Sequence, residues 1–79
     1  MPLLVRIDPE LRMNRWYYVA VQPSLFDPYV VACAWGNRNT GYQRSRQIPV
    51  ADLAQGHALA KKIIRRKLRR GYQLEETSV

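Results

Sequence analysis

The sequence predicts an α+β fold, in which a small antiparallel β-sheet of three to five strands packs against one C-terminal helix. In the first fifty residues, runs of aromatic and β-branched residues alternate with short connections rich in Pro, Gly and Asn. After residue 52, apolar residues recur at helical spacing. A chain of 79 residues has room for one modest core. We therefore expect a single domain over residues 1–79, with a core at about 3–73 and a frayed tail at 74–79.

The first two strands are predicted on either side of a turn. Leu3–Ile7 is a short apolar segment that ends before Pro9, which cannot donate to a sheet ladder. Trp16–Val21 is typical of a central strand, and its odd-numbered residues are assigned to the core face. Trp16 and Tyr18 then lie on the other face, which the N-terminal segment is expected to cover in part.

Two more strands complete the predicted meander. Tyr29–Trp35 follows a connection with two prolines, and Tyr42–Ile48 returns after the turn-forming stretch Asn37–Gly41. Pro49 is expected to end the last of these strands. Short connections favour pairing of consecutive strands, so the three main strands should form an antiparallel meander.

The helix is bounded by recognisable end signals. Asp52 is a suitable N-cap, and Gln55 completes a capping-box pattern. Gly71 is a natural residue for the position just after the helix, and Gly56 should permit close approach to the sheet. Lys67 falls towards the apolar stripe, where its stem can snorkel. The predicted stripe consists of Leu53, Gly56, Ala60, Ile63, Ile64 and Leu68.

The charge distribution indicates an anionic partner. The chain carries 13 Lys and Arg against 6 Asp and Glu, a net charge of +7. Over half of the basic residues lie in Lys61–Arg70, and no acidic residue occurs between Asp52 and Glu75. An ordinary solvated helix face mixes charges of both signs, so this pattern favours nucleic acid.

Other function classes find little support in the sequence. Cys33 is the single cysteine and His57 the single histidine, so neither a disulfide nor a cysteine-based metal cage is expected, and no cofactor is predicted. We interpret Cys33 as a buried small hydrophobe and His57 as a residue packed at the core edge. The acidic residues lack catalytic spacing, so no enzymatic activity or small-molecule substrate is expected. No apolar run would span a membrane, which predicts a cytoplasmic protein without membrane contact.

Several segments, in this order, resemble a known family. They are Arg6-Ile7-Asp8-Pro9, Met13–Tyr17, Gln22–Phe26, Trp35-Gly36 and the stretch from Lys67 to Tyr72. Together they resemble bacterial WGR domains over nearly the whole chain. The resemblance implies a compact antiparallel sheet with one packed helix. It also implies DNA binding near strand breaks, with the family's tryptophan against a terminal sugar and basic residues on phosphates.

The resemblance also suggests individual site residues. Trp35 matches the family's tryptophan, and Asn14-Arg15 match a polar-basic pair before the second strand. Asn37 occupies the place of the family's signature arginine, so the missing charge is expected to come from Arg38 and the helix.

The sequence thus predicts a non-enzymatic module that binds double-stranded DNA or DNA ends through backbone contacts and tryptophan stacking. The alternative is a protein-interaction module that docks a partner through Trp16, Tyr18, Tyr29 and Tyr42, and RNA binding is the third possibility. The predicted DNA-binding residues are Asn14, Arg15, Trp35, Asn37, Arg38, Arg44, Arg46, Lys61, Lys62, Arg65 and Arg69.

Overall fold

A computed structural model describes residues 3–75 and has the predicted α+β architecture, with a five-stranded antiparallel sheet and one helix. The strand order across the sheet is β4-β3-β2-β1-β5. In chain order the elements are β1 (Leu3–Asp8), β2 (Met13–Pro23), β3 (Tyr29–Asn37), β4 (Gln43–Val50), α1 (Leu53–Arg69) and β5 (Gln73–Leu74). Within residues 3–75, no helix is both long and apolar enough to cross a membrane.

The core lies between α1 and one face of the sheet. Its buried members are Val19, Val31, Cys33, Val50 and, from the helix, Ala60. The predicted core face of β2 is thereby confirmed, as is the burial of Cys33. Burial of apolar side chains on this face is the main force that holds the helix on the sheet.

Gly56 sets how closely the helix approaches the sheet, as its position in the sequence predicted. A Cβ atom added at Gly56 would lie 2.7 Å from Val21 Cγ1 and 3.3 Å from Val50 Cγ2. A side chain at this position would therefore push α1 away from β2 and β4.

Both helix ends are capped. Asp52 Oδ1 accepts a hydrogen bond from Gln55 N at 2.8 Å, which confirms the N-cap. Gln55 Oε1 accepts from Ala51 N at 2.7 Å, one residue earlier than a capping box requires. At the other end, Gly71 has φ +93° and donates to Leu68 O, while Tyr72 N donates to Lys67 O. This pair of bonds is a Schellman motif.

Three sequence expectations about the sheet were wrong. Pro49 does not end β4, which continues to Val50. Because β4 is an edge strand, its proline does not interrupt a ladder on the outer side. The N-terminal segment does not cover the outer face of β2 but pairs beside it as β1. Leu74 lies in β5 and Glu75 N donates to Leu3 O, so the chain is still ordered where a frayed tail was expected; residues 76–79 lie outside the described residues.

The buried side of α1 also differs from the predicted stripe. Leu53 and Leu68 are exposed, whereas Leu59 packs against the core. His57 is exposed and not packed at the core edge. The helix is therefore rotated slightly relative to the predicted stripe, whereas Lys67 lies at the sheet, on the side where the sequence placed it.

We expect Gly36→Ala to destabilise the fold strongly. A Cβ atom here would lie 2.2 Å from Tyr42 O and 2.9 Å from Trp16 Nε1, and the first of these is a backbone atom in a hydrogen-bonded hairpin. Overpacking of this kind costs about 1–3 kcal/mol. Urea unfolding measures the loss.

Gly41→Ala is the control for Gly36→Ala. Gly41 has φ +72° but nothing within 4 Å of an added Cβ, so this variant reports backbone strain alone, about 1–2 kcal/mol. Equal stability of the Gly36→Ala variant and the wild type would contradict the close packing at Trp35-Gly36.

Candidate nucleic-acid interface

A groove of about 700 Å³ lies between α1 and the sheet. Cys33, Ile48, Leu59 and Ile63 supply its apolar lining. It continues towards the ends of β2 and β3 and the hairpin between β3 and β4, where Thr40 contributes to the wall. The groove exists because the last two turns of α1 pass over the sheet where large aromatic side chains replace the small core residues.

Aromatic rings and one cation form a row along this groove. Tyr17 and Trp35 are cross-strand neighbours whose rings are nearly parallel, with an interplanar angle of 13° and centroids 5.7 Å apart. Lys67 Nζ lies 4.4 Å from the centroid of the Tyr17 ring and 5.6 Å from that of Tyr72. Both distances suit cation–π attraction.

The end of α1 places Tyr72 in this row. Tyr72 is the residue in the Schellman motif that contacts the last helical turn, and here the contact is with the Lys67 ammonium group. A Cβ atom at Gly71 would come within 3.4 Å of Arg6 Nε, so the turn also lies directly against β1.

The groove is strongly basic. Among its lining residues are five cations and no carboxylate: Arg15, Arg46, Arg66, Lys67 and Arg70. Within residues 3–75 the structure contains one salt bridge, between Arg38 and Glu75 at 3.4 Å, and it lies outside the groove. The groove cations are thus free to neutralise a bound anion.

Burial shifts the pKa values of two groove residues. Burial first, and then the neighbouring Arg70, lowers the pKa of Lys67. Burial raises the pKa of the Tyr17 hydroxyl, which therefore stays neutral. An anion in the groove would counter the first effect, because a nearby negative charge favours the ammonium form.

Asn37 forms the turn between β3 and β4. Its Oδ1 accepts a hydrogen bond from Asn39 N at 2.8 Å, an Asx-turn, and its backbone N donates to Tyr42 O at 2.8 Å. The side chain also lines the groove. Asn37 therefore stabilises the hairpin without adding charge to the site.

Arg38 lies outside the groove lining. Its side chain pairs with Glu75, and its backbone N donates to Asn14 O. The cation nearest in register to Asn37 is Arg15, which pairs with it across β2 and β3 and lines the groove. Within the groove lining, Arg15 is thus the cation beside Asn37, and the role of Arg38 stays a prediction.

Asn14 supports the same hairpin from β2. Its Nδ2 donates to Asn39 Oδ1 at 3.4 Å, and its own Oδ1 is buried without a hydrogen-bond partner among the described residues. A buried carbonyl oxygen without a partner is energetically unfavourable.

The predicted site residues fall into three groups. Those that line the groove are Arg15, Trp35, Asn37 and Arg46. Those at its margin are Asn14, Arg38 and Arg44, of which Arg44 is the cross-strand partner of Trp35 and lies over the Tyr42 ring at 5.7 Å. Those on the exposed side of α1, outside the groove lining, are Lys61, Lys62, Arg65 and Arg69.

Seven aromatic or basic groove residues were absent from the predicted DNA-binding residues: Trp16, Tyr17, Tyr42, Arg66, Lys67, Arg70 and Tyr72. One signal was available, because Lys67 is predicted to lie towards the apolar stripe. Arg70 lies three residues after Lys67 and four after Arg66, so helical spacing places Arg70 next to both. Of the aromatics proposed to dock a protein, only Tyr42 is exposed, whereas Trp16, Tyr18 and Tyr29 are half-buried.

An α+β module with an aromatic, uniformly basic groove belongs to a class that suits polyanionic ligands. The family model for the WGR domain matches residues 2–79, essentially the entire chain, and the protein therefore belongs to the WGR family. The WGR domain is a non-catalytic, nucleic-acid-binding module. Neither the curated proteins nor the solved structures contain a significant match to the chain.

We expect Lys67 to titrate below the ordinary lysine value. Its folded pKa is lowered, so the unfolded chain binds this proton more tightly, and the free energy of unfolding should rise with pH between the two pKa values. NMR of the Lys67 Cε shift measures the pKa directly. The Lys67→Met variant should lack this part of the pH dependence of stability. A midpoint at or above the ordinary value would contradict the burial of the ammonium group.

Proposed function

We propose that this protein is a non-enzymatic module that binds double-stranded DNA at or near strand ends, with weak sequence preference. The observation that carries the proposal is the groove in which Trp35 and Tyr17 lie among five cations without a carboxylate. Membership of a nucleic-acid-binding family supports it.

The two kinds of side chain in the groove suit two parts of one ligand. Stacking on an aromatic ring contributes about 1–3 kcal/mol per base and tolerates any sequence. Arg15, Arg46, Arg66 and Arg70 present planar guanidinium groups, which bind phosphate oxygens in a bidentate manner. A strand end offers an unstacked base face beside phosphates, whereas the interior of an intact duplex buries its base faces in the stack.

Weak sequence preference follows from the position of the helix. Base reading in the major groove of DNA needs a helix or a β-ribbon that inserts side chains such as Asn, Gln and Arg. Here one side of α1 is held on the sheet, and the exposed side of its second half carries Lys61, Lys62, Arg65 and Arg69. Such residues position a protein on phosphates without specifying bases.

We expect the helix cations that line the groove to contribute more to DNA affinity than the helix cations outside it. Arg66→Gln with Arg70→Gln removes two groove charges, and Arg65→Gln with Arg69→Gln removes two charges outside it. Both pairs lower the net charge equally. The groove pair should weaken DNA binding at least tenfold more than its control, and should reduce the salt slope by about 0.9 per lost phosphate contact.

Trp35→Ala separates stacking from charge in the same assay. It should weaken binding about tenfold or more while leaving the salt slope unchanged, because it removes a ring and no cation. Fluorescence anisotropy over a salt series measures both quantities. Equal losses for the two arginine pairs, with no effect of Trp35→Ala, would argue for diffuse electrostatic attraction instead of a groove site.

Preference for ends is tested with substrates of identical sequence. Linear blunt duplex and nicked duplex should compete more strongly than a covalently closed circle at equal nucleotide concentration, because only the first two expose a terminal nucleotide. Duplex RNA and single-stranded DNA complete the set. Equal competition by the closed circle would refute end binding, and absence of binding to any nucleic acid at low salt would refute the proposal as a whole.

A further inference from the structure

We propose that the end of the molecule opposite the Asn37–Gly41 hairpin is a homodimer contact, through which two copies of this chain associate by the β2–β3 loop. We call this end the apolar tip. It consists of Leu25 and Phe26 and of the shallow depression that they line together with Gln22, Pro23, Ser24, Val30 and Gln47. The inference does not depend on the proposed DNA binding.

The first observation is the exposure of the loop. Leu25 is 96% exposed and Phe26 is 94% exposed, although each is a large apolar side chain. Adjacent apolar residues left almost wholly in water are typical of an interaction surface. Within residues 3–75, the large hydrophobic side chain that is next most exposed is that of Leu11, at 61%.

The loop is held in shape. Pro23 and Pro28 flank it, and Phe26 N donates to Ser24 Oγ at 3.4 Å. Proline restricts the backbone on both sides, and the serine contact adds a local turn. A restrained loop loses less conformational entropy when its side chains become buried, which favours docking.

The charge distribution favours a second copy as the partner. All 13 Lys and Arg lie outside residues 16–37 and 47–60, and these two stretches contain only Asp27 and Asp52 as charged residues. Tyr29 pairs with both Pro23 and Val50, so the loop after β2 and the end of β4 occupy the same end of the sheet. Two chains of net charge +7 repel each other least where they meet at this end, with their basic halves directed away. The same lack of cations disfavours nucleic acid as the ligand of the tip.

The tip is also self-complementary. A two-fold contact requires that one surface carry both partners of each interaction. Here Leu25 and Phe26 form the exposed wall of a depression of about 240 Å³, so in a two-fold contact the Phe26 ring of each copy can pack against the Leu25–Phe26 wall of the other. One aromatic side chain buries roughly 150–250 Å², a large part of the roughly 500 Å² per copy that a specific interface needs.

Sedimentation velocity without nucleic acid tests the proposal, from micromolar to about millimolar concentration. We expect the mass to rise from the monomer value of 9.2 kDa towards twice that value. High salt should preserve or strengthen the association, because it screens the repulsion between basic halves. A mass that stays at 9.2 kDa throughout would overturn the proposal.

Substitutions locate the contact. Leu25→Ser with Phe26→Ser should weaken association at least tenfold, with circular dichroism confirming that the fold is retained. Leu11→Ser, which removes an exposed leucine at the other end, should leave it unchanged. On dilution of the wild type, amide shifts should change at residues 22–30 and 47 and stay constant at Trp35.

Persistence of the dimer in the double variant, or its loss in Leu11→Ser, would overturn the assignment to the tip. Trp35→Ala should remain dimeric. Failure of DNA binding and failure of dimerisation are thus observed in separate experiments.

Discussion

The contact of Lys67 with the Tyr17 ring is the interaction on which the functional half of the molecule depends. It brings a cation from the helix onto the same side of the sheet that carries the core. Arg66 and Arg70 line the same groove, and the Schellman motif returns the chain so that Tyr72 lies near the same ammonium group. Lys67 therefore links the end of the helix, the sheet and the returning chain on the wall of the groove.

This arrangement carries an energetic penalty that explains why the site suits an anion. A buried ammonium group and several guanidinium groups lie close together, and the groove lining offers them no carboxylate. The aromatic faces offset part of the desolvation of the Lys67 ammonium group. They do not offset all of it, because the pKa of Lys67 is lowered. Phosphate groups would relieve both the desolvation and the mutual repulsion, which supports the proposal of a polyanionic ligand.

The basic groove and the apolar tip lie at opposite ends of the molecule. The basic groove lies where β2 and β3 reach the β3–β4 hairpin and where α1 ends, whereas the loop after β2, which contains no cation, lies near the beginning of α1. In a dimer joined at the apolar tip, two grooves would face outward, and a linear ligand with two accessible segments could engage both. Avidity would then depend on the geometry of the ligand and not on further contacts.

The sequence by itself determined the strand and helix segments, the helix caps and the basic character of the surface, because these depend on local periodicity and on residue type. The alternation in β2, the Asp52 cap and the glycine after the helix could all be predicted without knowledge of the tertiary structure. Only the tertiary structure decided which cations belong to the groove. A modest rotation of α1 leaves Leu68 exposed, and the register of β2 with β3 places Arg15 opposite Asn37 in the groove. Such outcomes depend on packing between distant segments, which spacing along the chain does not encode.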